Sequence, residues 1–101
     1  MKVTIIPIDG LVSIDGVGFG SLALSGVNPS VHAVQWYDTY GVVEFKEFFL
    51  DGEITKPQNQ LIASFSEYEP VLVLWQEAKD AEDASLKAAA EQPKSTGTQT
   101  L

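Results

Sequence analysis

Only one histidine stands in this chain, and it stands in its most aromatic stretch, "VHAVQWYDTYG" over residues 31–41. A histidine can act as a general base or a metal ligand because its charge changes near neutral pH. Either role needs an orienting carboxylate or further ligands, and no second histidine is available. With apolar and polar residues alternating at period two, His32, Val34 and Trp36 share one face of a strand, and Val31, Ala33, Gln35 and Tyr37 share the other. That places His32 on the core side or at its margin, in a structural or hydrogen-bonding role. Its loss would then cost about 1–3 kcal/mol through an orphaned buried partner.

The remaining chemistry-bearing patterns are incomplete. "GVGFG" (16–20) spaces three glycines at alternate positions, but a dinucleotide fingerprint would need glycine at 21, where Ser21 stands, and a helix after it. It reads instead as a glycine-rich hairpin arm. Asp51 and Glu53 could face a calcium ion, yet the twelve-residue loop pattern that holds calcium is absent. Neither a Ser/His/Asp arrangement nor a glycosidase carboxylate pair can be picked out. There is no cysteine, which excludes disulfides, thiolate catalysis and cysteine-bound zinc. No catalytic residue, cofactor or metal is assigned, and the expectation is a protein that is not an enzyme.

Charge narrows the partners. Fourteen acidic residues oppose six basic ones, a formal charge of −8 with a pI near 4.3. Such a chain repels phosphate backbones unless it carries a basic patch. Its lysines (Lys2, Lys46, Lys56, Lys79, Lys87, Lys94) are scattered singly and there is no arginine. Nucleic acid and anionic membranes are therefore not expected partners. The opening "MKVTIIPIDG" is broken by Pro7 and Asp9 before a signal-peptide core could form, and no window approaches a membrane span. The cytoplasm of the cell is the expected compartment.

The elements that must position these residues come in two blocks. With 101 residues, 45% hydrophobic and 20% charged, the chain holds one domain, assigned to 1–91. The first 65 residues read as strands. "VTIIPI" (3–8) is one, with Pro7 marking an edge or an end. Asp15-Gly16 joins "LVSI" (11–14) to "VGFG" through a type I′ turn, and Asp9-Gly10 is a bend or bulge. "SGVNPS" (25–30) is a loop, "VHAVQWY" (31–37) a strand, "VVEFKEFF" (42–49) its return, and Asp51-Gly52 another turn. "EITKPQNQ" (53–60) is polar, contains Pro57 and reads as loop; "LIASF" (61–65) is a short strand or an extended lead.

A helix follows from about 67 to 90. Ser66 and Glu69 have capping-box spacing, Pro70 fits the first turn, and Val71, Leu74, Trp75 and Ala78 line one face. Trp36 and Trp75 are expected to meet between sheet and helix. The later turns carry alanines and a lone Leu86, a stripe able to pack on a partner helix. The tail 92–101 has no apolar pattern and reads as disordered. The fold class is α+β: an antiparallel sheet of four to five strands within residues 2–65, with one C-terminal helix packed on a face.

Contact surfaces are the remaining candidates. Phe48, Phe49 and Leu50 are consecutive, so they cannot all face one core. Tyr37 and Tyr40 flank a turn, and tyrosine is enriched at interfaces. These five residues are the candidate partner-contact set.

The order "VTIIPIDG", "SIDG", "NPSVHAVQWY", "GVVEF", "EPVLVLWQEAK" resembles a family of small acidic proteins of tailed bacteriophages and prophages, over roughly residues 2 to 80. "HAVQWY" (32–37) is the most specific block; Trp75 and Ala78 are a weaker one. Members sit among tail and tail-fibre genes, and some are described as tail-assembly or tail-fibre-assembly proteins. "KEFFLDGEITKP" is more apolar here than the family's middle turn. The resemblance implies a non-enzymatic protein of the bacterial host cytoplasm that assists tail or tail-fibre assembly, with a tail or tail-fibre protein as partner. A structural subunit of the tail or baseplate is the alternative, with self-association left open. A small enzyme or metal binder using His32 is a remote third. The resemblance brings no catalytic residues.

Overall fold

The structure, a computed structural model, describes residues 1–91. The proposed disordered tail, 92–101, lies outside the described residues. The class is α+β as expected, with more strands than the sequence suggested. Six form one antiparallel sheet: β1 (Lys2–Ile6), β2 (Leu11–Ile14), β3 (Val17–Phe19), β4 (Val31–Tyr37), β5 (Gly41–Phe45) and β8 (Gln60–Ile62). The order across the sheet is β3-β2-β1-β4-β5-β8. Two more, β6 (Phe48–Leu50) and β7 (Glu53–Thr55), make a separate hairpin. A 3₁₀ turn at Ser66–Tyr68 leads into the helix α1 (Glu69–Glu91).

Two Asp-Gly turns work as the sequence suggested. Asp15 and Gly16 both take positive φ (48° and 88°), which closes β2 onto β3, and Asp51 and Gly52 (53° and 81°) close β6 onto β7. Asp9-Gly10 does something different. Pro7–Asp9 form a 3₁₀ turn that joins β1 to its antiparallel neighbour β2, with Gly10 at φ 60° as its left-handed cap. Pro7 ends β1, which lies at the centre of the sheet and not at its edge.

One face of the sheet is dry. Val3, Ile5, Val12, Val34 and Val43 are almost fully buried there, with Trp36 beside them. The registers Ile5↔Val12, Val3↔Trp36, Ile5↔Val34 and Val34↔Val43 set these side chains in a row across four strands. Two segments cover the row. The connection from β3 to β4 must cross β2 and β1, and it does so carrying Leu24 and Val27 into the core, with Leu22 half-buried against it. Hydrogen bonds from Leu22 N to Gly10 O (2.9 Å) and from Val27 N to Leu24 O (3.0 Å) hold its turns. The segment after β8 then brings in Phe65, Tyr68 and Val71.

The tryptophans do not meet. Trp36 packs on Phe65 at 5.4 Å between ring centroids, while Trp75 reaches the far edge strand. There its indole N–H donates to Val17 O (2.8 Å) and its ring meets Phe19 edge-on at 5.8 Å. The first turns of the helix therefore pack at the β2–β3 side of the sheet, and Phe65 and Tyr68 before it cover the part nearer Trp36. Past Lys79 it overhangs the sheet: every residue from Asp80 to Glu91 is exposed. Only the first turns of the helix pack on a face, which corrects the expectation for its whole length. The capping box is replaced too. Ser64 Oγ accepts from Ser66 N (3.1 Å) and donates to Ser66 Oγ (3.0 Å), so the polar grip on the helix entry comes two residues earlier.

Two outcomes follow from this packing. A Cβ at Gly41 would lie 2.8 Å from both Gln35 O and the Trp36 ring, whereas one at Gly18 would meet nothing nearer than 3.5 Å. Gly41→Ala is expected to cost about 2 kcal/mol in urea unfolding through overpacking, and Gly18→Ala to be neutral or to stabilise by about 0.5 kcal/mol. Tyr68 supplies the second. Burial, aided by the Glu67 carboxylate, pushes its phenol up to about 12. The neutral phenol belongs to the folded state, so its contribution is complete below the unfolded value near 10. That contribution is lost as pH rises through about 12. Tyr68→Phe should flatten this alkaline loss in a pH series of urea melts.

Candidate functional site

His32 is not on the core side. In β4 the pairs Val31↔Phe45 and Ala33↔Glu44 span two steps on one strand and one on its partner, so His32 is the extra residue of a β-bulge. The bulge breaks the period-two pattern. Val31, Val34 and Trp36 all turn inward, and His32 is exposed. It sits where β4 runs on past its last pairing with β1, at Ile5↔Val34. Its neighbours in a shallow depression of about 270 Å³ are Glu44, Phe45, Lys46, Glu47 and Lys56. No hydrogen bond among the described residues orients the ring, and no three histidine or carboxylate groups among them converge as metal ligands would.

The five contact candidates fall into two groups at opposite ends of the β4–β5 pair. Tyr37 and Tyr40 lie at the turn end, beside the pair Trp36↔Gly41. Their rings stack at 5.2 Å, both exposed, and Tyr37 N donates to Tyr40 O (2.7 Å). Asp38 between them adopts φ 81° and its carboxylate accepts from the Met1 amine at 2.8 Å. That bond holds the carboxyl below its usual value. The turn is thus tied back to β1 and presents two rings on a fixed backbone.

Phe48, Phe49 and Leu50 lie beyond the other end, after Phe45. All three are exposed, Phe49 at 73%. They form β6, and cross-strand pairing sets Phe49 opposite Ile54, which is 63% exposed. Side chains alternate along a strand, so Phe49 and Ile54 occupy one face of the hairpin, and Phe48 and Leu50 the other. The hairpin has apolar groups on both faces. At its base lies an open groove of about 480 Å³ lined by Pro29, Ser30, Phe45, Phe48, Pro57 and Gln58. Lys46 and Glu47 are the charged groups on its rim.

Sequence reasoning missed β7 and with it Ile54, because Glu53, Lys56 and Pro57 make that stretch look like loop. The signal was present. A two-residue type I′ turn at Asp51-Gly52 demands a returning strand, and Ile54-Thr55 is β-branched. Nothing local announced the groove, since Pro29 and Pro57 come together only in the fold.

Among the described residues no helix is long and apolar enough to cross a membrane. The chain matches no known family model, no curated protein and no solved structure.

Since His32 is exposed and extra to the ladder, His32→Ala is expected to change stability by less than about 0.5 kcal/mol in urea unfolding. A loss of about 1–3 kcal/mol, the cost of orphaning a buried partner, would restore a structural role for the ring.

Proposed function

We propose that this protein works by protein contact and not by catalysis, assisting assembly of a bacteriophage tail or tail fibre in the host cytoplasm. The observation that carries the contact reading is the hairpin Phe48–Thr55, whose Phe48, Phe49, Leu50 and Ile54 are exposed on both faces. A two-stranded hairpin is marginal by itself in water. An apolar one gains most from a partner that covers it. The phage setting comes from the sequence resemblance over residues 2 to 80. The charge of −8 suits the role, because it keeps a body with exposed apolar groups soluble and apart from its own copies.

A structural subunit of the tail or baseplate is the second reading. It is favoured by the overhanging helix, twelve exposed residues from Asp80 to Glu91 that a surrounding assembly could seat. Mass spectrometry of purified particles separates the two. An assembly factor is absent from the finished particle, and a subunit is present in stoichiometric amount.

The tagged full chain, expressed in induced lysogens, is expected to recover a tail or tail-fibre protein. Phe49→Ser combined with Ile54→Ser should abolish that recovery. It should leave the unfolding free energy from urea melts within about 0.5 kcal/mol, because neither side chain belongs to the core. Recovery of the same protein by the double variant would remove the hairpin from the contact.

A further inference from the structure

Three aspartates in this chain precede glycine in nearly the same context: Ile8-Asp9-Gly10-Leu11, Ile14-Asp15-Gly16-Val17 and Leu50-Asp51-Gly52-Glu53. Asp-Gly is the dipeptide most open to backbone isomerisation, because glycine leaves its own amide nitrogen unshielded by a side chain. The nitrogen attacks the preceding carboxyl carbon when the backbone can swing to bring them together. In an unfolded chain the three sites should react alike. The fold treats them differently.

At Asp9-Gly10 the nucleophile is held. Gly10 N donates to Pro7 O (3.0 Å), Asp9 O accepts from Ser21 N (3.1 Å), and Gly10 lies against the Leu22 backbone, where even a Cβ would be only 2.7 Å away. At Asp15-Gly16 the electrophile is held. Asp15 Oδ1 accepts from Lys2 N (2.8 Å), Asp15 N donates to Lys2 O (2.9 Å), and the hairpin is clamped below by the Trp75–Val17 hydrogen bond. At Asp51-Gly52 neither is held. No hydrogen bond among the described residues engages the Asp51 carboxylate, and nothing lies within 4 Å of a Cβ built on Gly52. The turn closes a hairpin of three residue pairs that stands apart from the main sheet. Such a unit opens locally at low free energy.

We propose that Asp51-Gly52 is a modification site of the folded protein, the position at which it converts to isoaspartate. The Gly52 amide nitrogen bonds to Asp51 Cγ. One Cγ–O bond breaks, and that oxygen leaves as water with the amide proton and one proton from solvent. Water then adds to the ring. Addition at the main-chain carbonyl carbon breaks its bond to nitrogen, leaves a free α-carboxylate and returns one proton to solvent. The product has the same mass and charge, with the chain now running through Cγ. The main chain gains one methylene at the tip of a two-residue turn. The Leu50↔Glu53 closing pair cannot form on that geometry, and the Phe49↔Ile54 pairing behind it is lost. The apolar hairpin is thus the age-sensitive part of the molecule.

The test incubates the full-length protein at neutral pH and physiological temperature, in native buffer and in concentrated urea. Isoaspartate is located by peptide mapping with a protease that cuts before aspartate but not isoaspartate, and counted with an isoaspartyl methyltransferase and labelled S-adenosylmethionine. In native buffer Asp51 should lead Asp15 and Asp9 several-fold, with most of the methyl label lost in Asp51→Glu. In urea the three sites should converge. The proposal is overturned if Asp15 or Asp9 keeps pace with Asp51 in native buffer. It is equally overturned if the ranking persists in urea, or if isoaspartate at Asp51 appears in urea alone.

Discussion

Everything in this fold follows from a sheet that has only one dry face. Val3, Ile5, Val12, Val34 and Val43 align across β2, β1, β4 and β5 and must be covered. A domain of this size can supply one covering layer, and both segments that supply it lie on the same face. The β3–β4 connection lays down Leu22, Leu24 and Val27; the return from β8 lays down Phe65, Tyr68 and Val71. The opposite face keeps polar groups, with Thr4 Oγ1 donating to Gln35 Oε1 at 2.7 Å between neighbouring strands. With the core so concentrated, what extends past the sheet contributes little to stability. The hairpin β6–β7 and the helix beyond Lys79 are such extensions.

Much of this frame was legible because its signals were local. The limits of β4 and the turns at Asp15-Gly16 and Asp51-Gly52 rest on β-branched runs and on residues that accept positive φ. So does the α+β order of strands followed by helix. The errors came where a nonlocal fact overrode a local pattern. The alternation through His32 failed because one residue of β5 faces two steps of β4, and a bulge has no mark in a single strand's sequence. Pro7 signalled an end correctly, but nothing in β1 said that it would be central. Trp75 and Trp36 are both apolar-face residues, and only the packing of the helix against β2 and β3 decides that they lie apart. Ser66 has capping-box spacing, and Ser64, two residues before it, takes the role.

The contact candidates show the same division. That Phe48, Phe49 and Leu50 could not share one core follows from alternation alone, and all three are exposed. That Tyr37 and Tyr40 belong to a different end of the molecule needs the β4–β5 register. One surface spanning residues 37–50 therefore becomes two, separated by the length of β5. The tyrosine pair sits on a turn tied to β1 through Asp38, whereas the hairpin is held by its own pairing. A partner touching both would have to span the β4–β5 ladder; a partner of one need not meet the other.

These two surfaces differ in what binding would cost. The stacked tyrosines are already ordered by the Tyr37–Tyr40 backbone hydrogen bond and by the Asp38–Met1 contact, so a partner would meet a prepared shape. The hairpin gains less from its own fold, and a partner covering it would also stabilise its pairing. Binding there would be coupled to local order, which would lower affinity per unit area and let the surface adapt. Local opening of the hairpin would also expose Asp51-Gly52 to chemistry that the clamped turn at Asp15-Gly16 escapes. The freedom that would let the hairpin fit a partner and the freedom that would let its backbone isomerise are the same motion. A bound partner that holds the hairpin closed would suppress both at once.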